Sequence, residues 1–230
     1  MTPEEIDRLL NEPIYSWDVS SLLSGIVDFL AFSERNLSWQ RRREVRRAQQ
    51  EAADLEIEPE DAYFLSQARA QIIESAKLRF DIGLSQSVRY AGLVAFVTSI
   101  EWCSRIFAAL LSTPMPKRPN GKNEVVHVFE HLNGKVGGRL TGEVDTFRQV
   151  VIIRNCVVHS AGLVKNDKYE TELRQAIASV KGFGLSTEGF VGETVHIDEG
   201  AIDALARSAL SWVPALDKEC WENGTFKRRP

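Results

Sequence analysis

Val144-Asp145-Thr146-Phe147-Arg148-Gln149-Val150-Val151-Ile152-Ile153-Arg154-Asn155-Cys156-Val157-Val158-His159-Ser160-Ala161-Gly162 reads as one helix with its stop signal attached. Val144, Phe147 and Val151 recur at three and four residues, the spacing of a buried helical stripe. Gly162 stands where a left-handed residue closes a helix, so a helix is predicted from about Thr141 to His159. Arg154 is the next member of the stripe and Val158 the one after. A guanidinium at such a position keeps its proton and is costly to desolvate unless an anion meets it. Arg154 therefore wants a partner, either a carboxylate of the chain itself or a bound substrate.

Helical periodicity continues on both sides of this stretch. A short acidic helix is expected near Pro3–Asn11, and Val19, Leu22, Ile26 and Phe29 mark the apolar side of a second. From Ser38 to Leu55 the pattern thins to Val45, Ala48, Ala52 and Leu55 among five arginines. Pro59 suits the first turn of the next helix, whose stripe is Leu65, Ala68, Ile72, Ala76 and Phe80. Near Gly83 the phase is undefined. Leu93, Phe96, Ile100, Cys103, Phe107 and Leu110 then alternate at three and four, as in a long bundle helix.

Pro114-Met115-Pro116 and Pro119-Asn120-Gly121 break the chain before a helix from about Asn123 to Leu132. Phe183 to Ile197 mixes glycines with β-formers and reads as a small hairpin. Asp198 is expected to cap a last helix carrying Ile202, Leu205, Ala209, Trp212 and Val213, with a stop or kink at Pro214. The expected fold is an all-α helical bundle with a small β-hairpin before the last helix. Residues 1–56 read as an N-terminal helical extension with a basic segment, and residues 57–230 as the bundle.

Composition narrows the function classes. Of 230 residues, 43% are hydrophobic and 26% charged, which suits a folded globular chain rather than a disordered one. A net charge of −4 argues against a protein that coats nucleic acid nonspecifically, though not against a local basic site. Cys103, Cys156 and Cys220 are too few and too scattered for a disulfide framework or a thiolate zinc site. The opening Met1-Thr2-Pro3-Glu4-Glu5 lacks the basic-then-apolar order of a signal peptide, and the apolar run Ala91 to Ile100 is short for a membrane span. A cytoplasmic protein without membrane attachment is expected.

Arg154-Asn155, three intervening residues and His159, on the penultimate long helix of an α-bundle and followed by Gly162, resemble the HEPN superfamily of nucleotide-binding domains. The His159-Ser160-Ala161-Gly162 continuation is most similar to the branch of RiboL-PSP-type ribonucleases and phage-defence proteins. The specific part is ten residues long; the architectural likeness spans roughly Pro59 to Trp221. What the resemblance implies is RNA cleavage without metal or cofactor. It implies a homodimer whose motif helices meet at one composite cleft, acting as a toxin or antiviral effector, with an antitoxin or defence-system protein as a possible further partner. In the implied chemistry His159 serves as base on the 2′-hydroxyl or as acid on the leaving 5′-oxygen. Arg154 balances charge on the phosphorane-like transition state. Asn155, four residues before His159 and on the same side of the helix, orients the imidazole or holds a phosphate oxygen. The products carry a 2′,3′-cyclic phosphate and a 5′-hydroxyl. Some HEPN toxins have a tyrosine two residues after the histidine, modified by a partner enzyme; here that position is Ala161, so this control is not expected.

Two other readings stand beside the nuclease: a HEPN protein that binds RNA or nucleotide without cutting it, and a helical scaffold in which Arg154 pairs with an internal carboxylate. Arg41, Arg42, Arg43, Arg46 and Arg47 form a basic block that either tracks an RNA backbone or is a solvated face balanced by Glu51, Asp54, Glu56, Glu58 and Glu60. His127 and His131 have the i, i+4 spacing of a metal grip, but no third ligand is close in sequence, and no metal site is assigned. Cys156 reads as a small buried residue, and the five tryptophans as packing.

Overall fold

The structure is a computed structural model that describes residues 2–3, 14–55, 62–166, 168–187 and 192–227. The expected helix at Pro3–Asn11, the cap at Pro59 and the acids Glu56, Glu58 and Glu60 lie outside the described residues or at their edge. Helices α1 (Ile14–Ala53) and α2 (Ala62–Leu78) come first. A π-helical segment, Arg79–Leu84, leads without a break into α3 (Ser85–Leu110). Then follow α4 (Glu124–Lys135), α5 (Thr141–Ser160), a 3₁₀ turn at Val164–Asn166 and α6 (Glu170–Ser179). An antiparallel hairpin of β1 (Phe183–Ser186) and β2 (Thr194–Ile197) precedes the last helix, α7 (Ala201–Glu222). The fold is all-α with a two-stranded hairpin before the last helix, as the sequence pattern predicts.

The core is built from the predicted stripe of α3, whose Leu93, Phe96, Ile100, Cys103 and Phe107 are buried. Phe129 of α4 sits at its centre, with the rings of Phe107, Phe147 and Trp212 edge-on at 6.1, 5.8 and 5.2 Å. Edge-to-face contacts at such distances join four helices through one aromatic cluster. Buried Asn133 closes the α4–α5 turn: its Oδ1 accepts from the Leu140 N–H at 2.9 Å and its amide donates to Thr141 Oγ1 at 3.1 Å. Tyr63–Leu110 is the one helix among the described residues long and apolar enough to cross a membrane by length and composition. The apolar side of its second half is the core just described.

Several expectations need correction. The two stretches read separately over residues 19–55 are one helix of 40 residues. Its buried side is Leu23, Ile26, Val27 and Leu30, whereas Leu22 and Phe29 face solvent. This helix has two apolar stripes side by side, and spacing alone does not choose between them. Leu23, Ile26, Val27 and Leu30 belong to the same core cluster as α3 and α7. Helix α7 begins after Gly200, not at Asp198, and Pro214 neither stops nor ends it: the helix runs to Glu222 because Leu216 and Cys220 remain buried beyond it. Helix α6 went unread; its signal is Leu173, Ala176, Ile177 and Val180, all buried at helical spacing.

Candidate functional site

Helix α5 is held on the core by Val144, Phe147, Val150, Val151, Ile153, Cys156 and Val157. Arg154 and Asn155 are left half-buried, while Val158 and His159 are exposed. The C-terminal turn is fixed by backbone conformation. Ala161 (φ +51°) and Gly162 (φ +79°) are both left-handed, and the Gly162 N–H returns to the Cys156 carbonyl at 3.2 Å. Gly162 also lies under Tyr90, whose Cζ and Cε2 would stand 2.9 and 3.0 Å from a side-chain Cβ at this position. The Tyr90 hydroxyl donates to the Val195 carbonyl, and the Val195 N–H donates to Gly162 O at 2.9 Å. Gln86 adds both halves of its amide to Ile197, each at 3.0 Å. Two strands alone are marginal in water; here the hairpin is pinned to α3 and in turn pins the end of α5. Gly162→Ala should therefore cost about 1–3 kcal/mol through left-handed strain and displacement of Tyr90, read as a lowered urea midpoint. Ala161→Gly, which relieves the same strain without a clash, should move the midpoint up.

Asn155 and His159 open onto a cleft of about 970 Å³ between α4, α5, the Asn120–Asn123 segment and the turn before α6. That volume suits a ligand of nucleotide size. Three cations and two carboxylates line it: Lys122, Arg148 and Lys168 with Glu130 and Glu172. Lys122 and Arg148 are both committed to Glu130, Arg148 at 2.6 Å, and Arg148 also reaches Asp145 at 3.0 Å. Burial alone would push the Glu130 carboxyl up, but the hydrogen bonds from Lys122 and Arg148 outweigh it and hold the group below the ordinary carboxylate range. Lys168 has no carboxylate partner among the described residues; its Nζ lies 5.3 Å from the ring centroid of Tyr169. Sequence reading missed Lys122, Lys168 and Tyr169. The basic–aromatic pair Lys168-Tyr169 was the visible signal.

Arg154 has an internal partner. Its Nη2 lies 3.7 Å from Oε2 of Glu101 on α3, and its Nη1 donates to Asn155 Oδ1 at 3.3 Å. Its Nε is buried with no acceptor among the described residues. A guanidinium has five donors, so this one is restrained rather than saturated. Asn155 is the link, touching Arg154 on one side and lining the cleft of His159 on the other. Arg154 itself does not line that cleft. Five residues of α-helix turn it about 140° from His159, so the two point to different surfaces of one chain.

The basic block lies elsewhere, on α1, and none of its arginines lines the cleft. Arg41 is held by Asp81 in a paired contact of 2.5 and 2.8 Å, which raises its pKa and lowers that of Asp81. Arg42 donates to the Ser38 carbonyl at 3.2 Å, Arg43 sits 5.4 Å over the Trp39 ring, and Arg43 and Arg47 approach Glu44 at 3.5 and 3.9 Å. Arg46 is exposed. His127 Nε2 lies 3.1 Å from the Pro116 carbonyl. Burial, then Lys135 and His127, depress the pKa of His131. Among the described residues no three His, Cys, Asp or Glu side chains are grouped to hold a metal.

Comparison with protein families, curated proteins and solved structures finds no match to this chain.

Proposed function

We infer that the chain is a HEPN-type endoribonuclease that cuts RNA through its own 2′-hydroxyl. The observation that carries this reading is the placement of Asn155 and His159 together in a nucleotide-sized cleft also lined by Lys168, a cation with no carboxylate partner among the described residues. In the proposed step the His159 imidazole takes the proton of the 2′-hydroxyl, and the 2′-oxygen attacks phosphorus. The P–O5′ bond breaks, the 5′-oxygen takes a proton from solvent water, and the His159 imidazolium returns its proton to solvent. Asn155 holds the imidazole or a phosphate oxygen. Since Arg154 points about 140° away from its own His159, the guanidinium that meets the transition state comes from a second chain packed through α5. Exposed Val158 and Trp102 offer the apolar surface for that packing. A cytoplasmic toxin or defence effector, restrained by a partner until needed, is the biological setting this chemistry fits.

The test is RNA cleavage by purified protein with and without chelator. Products ending in 2′,3′-cyclic phosphate, at equal rates in both, support the proposal; cleavage that vanishes with chelator counts against it. Lys168→Ala should weaken RNA binding and reduce the slope of log affinity against log salt by about 1, the contribution of one phosphate contact.

A second reading has its own support. The Arg154–Glu101 pair leaves the motif arginine partly neutralised, which suits a HEPN protein that binds RNA or nucleotide without turning it over. Measurable RNA affinity with no product at any pH from mildly acidic to mildly basic would favour it.

A further inference from the structure

Helix α1 carries a second apolar seam that the bundle does not use. Leu22, Gly25, Phe29, Phe32, Asn36 and Trp39 alternate at three and four residues, as in the heptad repeat of a pairing helix. Its four large members are exposed: Phe32 by 71%, Trp39 by 52%, Phe29 by 48% and Leu22 by 43%. Of the residues next to the seam in sequence, Ser21 and Ser24 are small and exposed, while Ala31 and Ser38 line the groove between α1 and α7. A helix face turned to water is ordinarily rich in charge. From residue 20 to 39 the charged residues are Asp28, Glu34 and Arg35, and Glu34 is half-buried with Arg89 at 2.7 Å. Asp28 and Arg35 are the charges left on this stretch: Arg43 covers the Trp39 ring at its end and Arg207 of α7 feels the charge of Asp28, but neither Asp28 nor Arg35 is within ion-pair distance of a partner among the described residues.

We propose that this face pairs with the same face of a second copy of the chain, the two α1 helices running antiparallel. Setting Phe29 opposite Phe32 of the other copy brings Leu22 opposite Trp39 and Gly25 opposite Asn36, with the same three layers repeated in reverse. The bulkiest side chain meets the end of the seam where Gly25 leaves open space. In this register Asp28 of each copy lies beside Arg35 of the other, so the two-fold axis satisfies both charges twice. A parallel pair would set Asp28 beside Ser33 and Arg35 beside Gln40, with no complementary charge. The antiparallel arrangement is isologous and closes on itself. It extends over about 26 Å of helix at 1.5 Å per residue. It uses α1 and is independent of the α5 packing proposed for cleavage.

The experiment is sedimentation equilibrium of the full chain at micromolar concentration. The wild type should show an association that halves in mass in Phe29→Ser/Phe32→Ser. These positions are exposed, so the fold should survive, and circular dichroism checks that it does. Asp28→Arg and Arg35→Asp should each raise the dissociation constant about tenfold or more by setting like charges together, and the double swap should restore it. A Phe29→Ser/Phe32→Ser mass equal to wild type overturns the pairing. Failure of the double swap to restore association overturns the antiparallel register. A seam that drives binding to anionic phospholipid vesicles, with no self-association, overturns the second copy as its occupant.

Discussion

His159→Ala should lower the rate of RNA cleavage by about 10²- to 10⁴-fold, the usual contribution of a positioned general acid or base. The side chain is exposed at the end of α5 and makes no hydrogen bond among the described residues, so its removal leaves the fold intact. A matching thermal midpoint and an RNA affinity within a few-fold of wild type should accompany the loss. Arg154→Ala should also abolish cleavage but behave differently otherwise, because it leaves Glu101 without its cation and Asn155 without its donor. Adding Glu101→Gln to that variant should recover stability but not activity. If His159→Ala cleaves as fast as wild type, the site assignment fails, whatever the fate of Arg154.

Asp217→Asn should stabilise the protein in neutral and basic solution. Asp217 is 1% exposed on α7, and neither carboxylate oxygen has a hydrogen-bond partner among the described residues. Burial pushes its pKa up from 3.8 to about 6, with the indole of Trp221 one turn on pulling the other way. A carboxyl whose folded value is raised favours folding fully below its unfolded value, and that contribution fades as pH rises through the folded value. The wild type should therefore lose stability between about pH 4 and pH 7, by up to about 3 kcal/mol from this group. Asparagine has no proton to lose. Urea midpoints should show the variant well ahead at pH 8 and the gap much reduced at pH 5. A gap of the same size at both pH values would assign the effect to packing instead. Nearby Cys103 and Cys220 thiols, pushed to about 12 chiefly by burial, stay neutral throughout.

The elements legible in the sequence were those with a single apolar stripe and a clear stop. Helix α3 has one stripe, and Gly162 ends α5 in the left-handed conformation expected of it. Reading failed where two signals competed. Helix α1 has two stripes, and the one chosen mixed exposed Leu22 and Phe29 with buried Ile26. Pro214 was weighed as a breaker, yet the buried residues after it hold the helix together. In the candidate site, Asn155 and His159 share a cleft as their four-residue spacing implies. The Glu101 partner of Arg154 was not legible, since the two are 53 positions apart in the chain. Lys122 was hidden for the same reason, and the Lys168-Tyr169 pair, though visible, could not be tied to the site: the cleft is assembled from segments that only the fold brings together.

The π-helical turns at Arg79–Leu84 give the long helix a phase shifter. Each residue added to a helix rotates everything beyond it by about 100°. The wide turn lets the stripe ending at Phe80 look toward α1 while the stripe beginning at Leu93 looks into the aromatic cluster. Forcing the same six residues into ordinary α geometry would turn everything beyond them by about 100° more and aim the stripes at the wrong neighbours. The angular setting of the first two helices against the rest of the molecule is thus stored in the width of one turn.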